Sequence, residues 1–306
     1  MLGVRCMRIV TRPDFDGVVC AALLCEAENV TKPVKWVEPN DMQIGLIDVQ
    51  EGDIIANLPY HERCSLWFDH HHTNRIDTPF KGVFKIAPSA AGVIFEHYKD
   101  RFIRDYSQLI KETDKIDSAD LSLDEVLYPE NDDYILLSMT ILGRDGHDEP
   151  YWNRLVDLLR KYDIDTVVED PEVRARCNGA VENNKKYKSI LKEHTKLKRH
   201  VSITDFRAFD KAPTGNRFLV YSMYSEAVVS VKIFYDGDDK EKVAVSVGHS
   251  IFNRNCNVNV GLMLSGFEGG GHRGAGSCRF HVSKSNDYIP KIIDILLKNE
   301  NNENLE

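Results

Sequence analysis

One carboxylate and three imidazoles follow directly on an apolar stretch of the chain. The apolar stretch is Leu66-Trp67-Phe68, and the polar run after it is Asp69-His70-His71-His72. Ligands of open α/β sheets bind at the carboxyl ends of the strands, so a buried strand that ends in these residues predicts a site. Imidazole nitrogen together with carboxylate oxygen suits manganese, iron or zinc. A histidine run on a solvated surface is the alternative, but the buried-looking strand before the run favours a site.

Two further acidic clusters would supply partners for these groups. Asp14 and Asp16 stand where a strand is predicted to give way to a helix, whose first N–H groups also suit an anion. Asp114 and Asp117 follow a later predicted helix, and the sequence leaves open which of the two is a ligand. An N-cap turn and a solvated acidic loop are the alternatives. Since neighbouring carboxylates repel each other, their convergence favours bound metal, and a metal pair would bridge a phosphate.

A glycine-rich segment near the end of the chain is the fourth candidate. It reads Gly269-Gly270-Gly271-His272-Arg273. Glycines let a backbone approach a ligand closely and donate its N–H groups to an anion, and arginine binds phosphate through two parallel hydrogen bonds. A flexible loop is the alternative.

Strands alternate with helices in the first half of the chain, which predicts an α/β fold with a doubly wound, mostly parallel sheet. The strands are predicted at Arg8–Thr11, Val34–Val37, Asp53–Asn57, Ser65–Phe68 and Val83–Ile86. The helices are predicted from Val18 to near Glu28 and at Ala90–Tyr98, Phe102–Thr113, Asp132–Leu142 and Tyr151–Tyr162.

The second half has a different pattern. A long polar helix is predicted from Pro171 to about Arg199, since proline is favourable in a first helical turn. Strands then follow at Val201–Asp205, Val228–Tyr235, Lys242–Val247 and Ser277–Val282, with helices at Val258–Ser265 and Tyr288–Lys298. The predicted domains are a metal-binding catalytic domain over 1–165, a helical linker over 166–200, and a smaller C-terminal α/β domain for substrate over 201–306.

Composition limits the function. The chain has 306 residues and a net charge of −9, which argues against broad binding of nucleic acid. The longest apolar run, Val18–Cys25, is too short to span a membrane, and no cleavable leader is evident. Seven cysteines are scattered singly, as reduced thiols would be. These features predict a cytoplasmic protein without a membrane partner.

The charge is uneven along the chain. Between Glu112 and Asp133 there are nine acidic residues and one basic residue, and between Glu172 and Lys211 there are eleven basic and five acidic residues. This pattern suits cations on one side and an anionic substrate on the other. Two solvated helix faces would explain it equally well.

The order of the motifs resembles the DHH phosphoesterase superfamily with its DHH-associated C-terminal domain. The matching features are Asp-x-Asp-Gly, Asp-His-His, a later Asp, a linker helix and a Gly-Gly-Gly-His loop, and they span the whole chain. Relatives include RecJ-type single-strand exonucleases, oligoribonucleases of the nanoRNase type, cyclic-dinucleotide phosphodiesterases and manganese-dependent pyrophosphatases. The resemblance implies two domains with the active site in the cleft between them, and a pair of manganese ions in the N-terminal domain, with magnesium as a substitute.

The resemblance also implies a role for each matched residue. The implied metal ligands are Asp14, Asp16, Asn57, His70 and Asp114. The implied catalytic residues are Asp69, His70 and His71. The implied substrate-binding residues are Arg12, His71, His72, Gly270, Gly271, His272 and Arg273.

Two positions depart from the family's pattern. Arg12 stands where such proteins usually carry a histidine, and Asn57 stands where they usually carry an aspartate that bridges two metals. Asparagine is a neutral, poorer ligand and arginine is none, so one or two ions are expected. Arg12 would contact phosphate directly, and His72 is a candidate substitute for the missing imidazole.

The leading prediction is a metal-dependent phosphoesterase that hydrolyses phosphodiester bonds of short oligonucleotides or small nucleotides. An exopolyphosphatase or pyrophosphatase acting on phosphoanhydrides is one alternative. A catalytically weakened nucleotide-binding protein, with Arg12 and Asn57 in place of the usual ligands, is another. A homodimer is compatible with the sequence.

Overall fold

The structure, a computed structural model, describes residues 7–141 and 148–303. Within these ranges the chain forms two compact units. The first unit extends to residue 121 and resumes over 129–180, and the second comprises 122–128 and the chain from residue 181 onward. The predicted domain ranges 1–165, 166–200 and 201–306 stay a prediction beside this division.

Five short strands form the sheet of the first unit. Their bounds are Arg8–Thr11 (β1), Lys35–Trp36 (β2), Asp53–Ala56 (β3), Leu66–Asp69 (β4) and Gly82–Phe84 (β5). They lie in the order β2-β1-β3-β4-β5, and every neighbouring pair is parallel. All four residues of β3 are buried, as expected for a parallel strand covered on both faces. The predicted α/β class is confirmed.

The strand order creates a topological switch point between β1 and β3. From β1 the chain moves outward to β2, and it then returns to the other side of β1 to build β3, β4 and β5. The loops that leave β1 and β3 therefore diverge, and ligands of open α/β sheets bind at such a point. Asp14 and Asp16 follow β1, Asn57 follows β3, and Asp69 ends β4.

Nine α-helices are described before the second sheet begins. In chain order they are Phe15–Ala27 (α1), Pro39–Gln43 (α2), Ala90–Tyr98 (α3), Ser107–Asp117 (α4), Leu123–Leu127 (α5), Asp133–Ser138 (α6), Glu149–Lys161 (α7), Ile164–Val168 (α8) and Pro171–His194 (α9). Every residue of α1 except Glu26 is buried. This burial explains the apolar run of the sequence, because a helix that is apolar all round is a core helix.

The prediction for α4 is wrong at both ends, and the error bears on the site. The helix spans Ser107–Asp117 instead of Phe102–Thr113. The polar residues after Thr113 indicated a loop. Two of them, Asp114 and Asp117, have partners inside the first unit, so the helix continues for one more turn.

Two other helices are shorter than predicted. α6 covers Asp133–Ser138 of the predicted Asp132–Leu142, whose last residue lies outside the described chain. α9 ends at His194 instead of near Arg199, because Thr195–Lys198 forms a strand at the edge of the second sheet.

The second unit contains a six-stranded mixed sheet. Its strands are Thr195–Lys198 (β6), Val201–Asp205 (β7), Val229–Tyr235 (β8), Lys242–His249 (β9), Gly269–His272 (β10) and Ala275–His281 (β11). They lie in the order β10-β11-β9-β8-β7-β6, and β7 and β8 form a parallel pair. The helices are Leu219–Met223 (α10), Val260–Ser265 (α11) and Ser285–Lys298 (α12). Alternate residues of β8, such as Val229 and Val231, share one core with Ile292 and Leu296 of α12.

Two predictions about the whole chain can be compared with the described residues. None of the described helices has both the length and the apolar character to cross a bilayer. The described cysteines form no disulfide, and all but Cys64 are buried.

Candidate active site

Asp16 is a fully buried carboxylate in the first turn of α1. Its two oxygens accept hydrogen bonds from the backbone N–H of Ala90 at 3.0 Å and of Ala91 at 2.8 Å. These two N–H groups lie in the first turn of α3 and have no hydrogen-bond partner within the helix, and the helix dipole at this end also favours a negative charge. Burial, reinforced by the charge of Asp14, nevertheless raises the pKa of Asp16 to about 7. A cation beside this carboxylate would keep it ionised.

His70 presents an unused nitrogen to the same place. Its Nδ1 donates a hydrogen bond to the carbonyl oxygen of Ala87 at 2.9 Å. A carbonyl only accepts, so a neutral His70 carries its proton on Nδ1 and keeps a lone pair on Nε2. That Nε2 is buried and has no hydrogen-bond partner. It lies 3.4 Å from Oδ2 of Asp117 and 3.9 Å from Oδ2 of Asp16.

Asp114 and Asp117 lie one turn apart on α4 but have different surroundings. Asp117 faces His70, and burial together with the charge of Asp16 raises its pKa to about 7. Asp114 accepts a hydrogen bond from the hydroxyl of Ser89 at 2.5 Å. Burial also raises the pKa of Asp114, against the opposing effect of Ser89. The geometry therefore brings Asp117, and not Asp114, to the imidazole.

The donor set formed by Asp16, His70 and Asp117 fits a divalent cation. The three ligand atoms lie within 4.8 Å of one another. A buried carboxylate and a half-buried one close together are unfavourable without a positive charge, and the orphaned Nε2 of His70 is the atom to which a metal would bind. One nitrogen and two oxygen donors suit manganese better than magnesium, which prefers oxygen ligands and water.

A second polar group lies beside this cluster and has a different character. Oδ1 of Asp14 accepts hydrogen bonds from the N–H of Gly17 at 2.8 Å and from Nδ2 of Asn57 at 3.0 Å. Its Oδ2 lies 3.1 Å from Nε of Arg12. Asn57 is buried, takes up a left-handed backbone conformation with φ of 56°, and leaves its own Oδ1 without a partner.

Gly17, the last residue of the Asp-x-Asp-Gly motif, is required by the close packing of the backbone around it. A Cβ at this position would lie 1.9 Å from the carbonyl oxygen of Arg12. Any side chain would therefore push apart the loop that carries Asp14 and the helix that carries Asp16. The glycine of the Asp-x-Asp-Gly motif is required by this close approach of backbone.

Asp69 and His71 form a pair at the end of β4. Nδ1 of His71 donates to Oδ1 of Asp69 at 2.8 Å, and Asn74 donates to Oδ2 of the same carboxylate at 2.7 Å. Burial lowers the pKa of His71, but the hydrogen bond and charge of Asp69 outweigh it, so the pKa is raised. Among the described residues, two groups of side chains could hold a metal ion: Asp16, His70 and Asp117, and Asp69, His70 and His71. His72 is exposed and belongs to neither group.

The glycine-rich segment belongs to the second unit and forms β10, not a loop. It pairs antiparallel with β11. Gly271 has φ of +149°, and a Cβ there would lie 2.3 Å from a backbone oxygen of β11. A Cβ on Gly270 would meet nothing within 4 Å, so packing does not require this glycine. His272 is exposed, and Arg273 forms an ion pair with Glu303.

The structure thus brings some of the predicted site residues together, whereas Asp114 and His72 lie outside the cluster. Asp16 and His70 share one cluster with Asp117, which the sequence left open. Asp14, Asn57 and Arg12 form the adjoining network. Sequence reasoning missed the groups that hold these side chains, namely the carbonyl of Ala87, the N–H groups of Ala90 and Ala91, and the hydroxyl of Ser89. Ser89 alone had a signal, because serine before a helical run is an N-cap pattern.

The chain is similar to a solved structure over almost its whole length. The MYG1_exonuc family model, described as an uncharacterised protein family (UPF0160), matches residues 48–134. No curated protein sequence matches the chain. Among solved structures, the pGpG-specific phosphodiesterase PggH from Vibrio cholerae has a TM-score of 0.84 and 30% sequence identity, covering 96% of this chain and all (100%) of that one. The DHH domain of PF0399 has a TM-score of 0.55 and 14% identity, covering 96% of this chain and 86% of that one.

The chain belongs to the DHH phosphoesterase superfamily. The predicted enzyme class, a hydrolase acting on phosphoric ester bonds, is confirmed with it. RecJ from Thermus thermophilus in complex with Mn²⁺ has a TM-score of 0.59 and 12% identity. It is covered over only 52% of its length, against 95% of this chain, and this likeness supports the DHH phosphoesterase fold alone.

Proposed function

We propose that this protein is a divalent-metal-dependent phosphodiesterase that hydrolyses linear dinucleotides and other short oligonucleotides to mononucleotides. The observation that carries the proposal is the cluster of Asp16, His70 and Asp117, with a buried, unpartnered Nε2 of His70 between the two carboxylates. It stands at the switch point of an open α/β sheet, where ligands bind.

The residues of the cluster have a defined task. Asp16 and Asp117 supply two negative charges, and His70 supplies a neutral nitrogen whose tautomer is set by Ala87. When bound there, a divalent cation supplies Lewis-acid polarisation of a phosphoryl oxygen. Manganese is the ion that this mixed donor set favours over magnesium.

In this proposal Arg12 binds the substrate phosphate, and His71 protonates the leaving oxygen. The Arg12 side chain is 40% exposed and uses Nε for Asp14, so its remaining N–H groups are available to a phosphate. The Asp69 carboxylate holds the proton on Nδ1 of His71 and favours the charged imidazole. Nε2 of His71 then donates a proton to the ribose oxygen as the bond from phosphorus to that oxygen breaks, while the attacking water bonds to phosphorus and releases one proton to solvent.

The substrate size rests on the relative and on the charge of the chain. The relative PggH, which covers 96% of this chain, is named as specific for the linear dinucleotide pGpG. A net charge of −9 disfavours long polyanions. The substrate-binding roles of His72, Gly270, Gly271, His272 and Arg273 stay predictions, as does a homodimer.

A hydrolysis assay tests the proposal. The purified full chain is incubated with pGpG, a labelled oligonucleotide of about five residues and tripolyphosphate, each with manganese and with a chelator. We expect pGpG to give two molecules of guanosine monophosphate with manganese, and the chelator to abolish the reaction. His70→Ala should be inactive, whereas His61→Ala, which removes a histidine from a loop before β4, should retain wild-type activity.

Three outcomes would overturn the proposal. Equal turnover with chelator, or by His70→Ala, would exclude the cluster as the catalytic centre. Preferred release of phosphate from tripolyphosphate would favour the phosphoanhydride hydrolase. Binding of pGpG without any turnover would favour a nucleotide-binding protein.

A further inference from the structure

We infer that the centre holds a single divalent cation, and that the guanidinium of Arg12 takes the place of a second one. The inference rests on the proposed function, because it concerns the same site. It contradicts the pair of manganese ions that the superfamily resemblance implies. Three features of the network around Asp14 carry it.

The first feature is that protein donors already occupy Asp14. A carboxylate has about four acceptor positions. Gly17 and Asn57 donate to Oδ1, and Arg12 lies 3.1 Å from Oδ2. At most one acceptor position is left for any other group, so Asp14 serves as an anchor for its neighbours and is a poor ligand for a metal.

The second feature is the orientation of Asn57. Its Nδ2 points at Asp14, and an amide N–H cannot ligate a cation. Turning the amide over would bring its Oδ1 against the Asp14 oxygen and lose the hydrogen bond. The carbonyl Oδ1 is therefore held away from Asp14, buried and unpartnered, where it offers a neutral oxygen. Asn57 cannot hold two cations together as a carboxylate would.

The third feature is the balance of charge. The positive charge of Arg12 matches the negative charge of Asp14. Asp16 and Asp117 together carry two negative charges, which one divalent cation neutralises. A second divalent cation next to Asp14 would face the guanidinium across the same carboxylate, and the two positive charges would repel each other.

Arg12 therefore supplies the second positive charge of the site as a fixed part of the chain. An arginine gives a phosphate planar, paired N–H donors, and it does not depend on the concentration of free metal. The activity should consequently follow a simple one-site dependence on manganese.

The test counts metal ions in the full-length protein. Protein stripped with a chelator is equilibrated with manganese chloride, desalted and analysed by mass spectrometry for manganese per chain, with calorimetric titration as a second count. The wild type should bind one ion. The double variant Arg12→His/Asn57→Asp introduces an imidazole and a carboxylate beside Asp14, and it should bind two. The matched control Arg63→His/Asn40→Asp makes the same chemical changes at exposed positions, and it should bind one.

The number of manganese ions bound per chain decides between one metal site and two. Two ions in the wild type would overturn the inference and leave the proposed function standing, whereas none would overturn both. A double variant that keeps one ion, with a wild-type circular dichroism spectrum, would also contradict the inference. If the double variant does not fold, the wild-type count decides alone. Arg12→Gln should keep one ion and raise KM about tenfold with little change in kcat.

Discussion

Nδ1 of His71 donates a hydrogen bond to Oδ1 of Asp69 over 2.8 Å, and Asp69 is fully buried. Asp69 is the first residue of the Asp-His-His motif, but its carboxylate binds the imidazole of His71 and is not part of the cluster of Asp16, His70 and Asp117. Its effect on catalysis should pass through His71.

Asp69→Asn should lower kcat by about 10- to 100-fold, the range found when the group that orients a catalytic or ligating imidazole is lost. The amide no longer holds the imidazolium charge, so the pKa of His71 should fall, and the alkaline limb of the pH–rate profile, where this general acid loses its proton, should move to lower pH. Manganese content should equal that of the wild type. Loss of manganese from this variant would show that Asp69 itself ligates the metal.

Asp117→Asn and Asp114→Asn should separate the two carboxylates of α4. Asp117 lies 3.4 Å from Nε2 of His70, the proposed metal-binding atom, so its loss should weaken manganese binding by at least about tenfold in calorimetric titration. Asp114 is held by Ser89, so Asp114→Asn should leave the affinity for manganese unchanged within about twofold. The reverse ranking would restore Asp114 as the ligand that the resemblance implies.

As pH rises, the stability of the metal-free protein should fall, whereas the stabilisation that manganese provides should increase. Burial raises the pKa values of Asp16 and Asp117 to about 7 from an unfolded value of 3.8, so the folded state binds more protons between these pH values. Protein stripped of metal should therefore lose stability as pH rises towards about 7 and its melting temperature should fall. Manganese requires the deprotonated carboxylates, so the rise in melting temperature that it causes should be larger near about pH 8 than near about pH 5.5.

The control for this experiment is Asp117→Asn, which removes one of the two titrating groups. Its melting temperature without metal should depend less on pH. Melting curves of stripped wild type that do not change across this range would contradict the linkage.

Glu303→Gln should free Arg273 in the second unit. The carboxylate of Glu303 pairs with the Arg273 guanidinium and also accepts a hydrogen bond from Asn259. If Arg273 binds substrate phosphate as predicted, Glu303 competes with the substrate, and its removal should lower KM by about two- to fivefold, as expected for an exposed ion pair. Glu300→Gln, close by on the same segment, should not change KM. An unchanged KM in Glu303→Gln would place Arg273 outside the binding surface.

The fold was predictable from the sequence because its signals are local. β1, α3 and β7 have the bounds that the patterns predicted. The hydrophobic run of α1 and the alternation of strands with helices indicated a doubly wound sheet. Asp16 and His70 were predictable as site residues because a turn motif and an Asp-His-His motif each follow a strand.

The rest of the site depends on contacts between distant parts of the chain. Asp16 is held by N–H groups 74 and 75 positions away, and no local pattern reports such a pairing. Asp117 was left open because the polar residues after Thr113 resembled a loop, although α4 continues through them. The engagement of Asp14 by Arg12 and Asn57 likewise appears only once β1 and β3 lie side by side.

Anomalous diffraction from crystals soaked in manganese shows directly whether His70, Asp16 and Asp117 hold a metal ion. We expect one strong peak in contact with Nε2 of His70 and with carboxylate oxygens of Asp16 and Asp117, and no peak beside Arg12. His70→Ala crystals treated in the same way should lose that peak. A soaked wild-type crystal with no peak at His70, or with its peak elsewhere, would contradict the claim that this cluster is the metal centre of the enzyme.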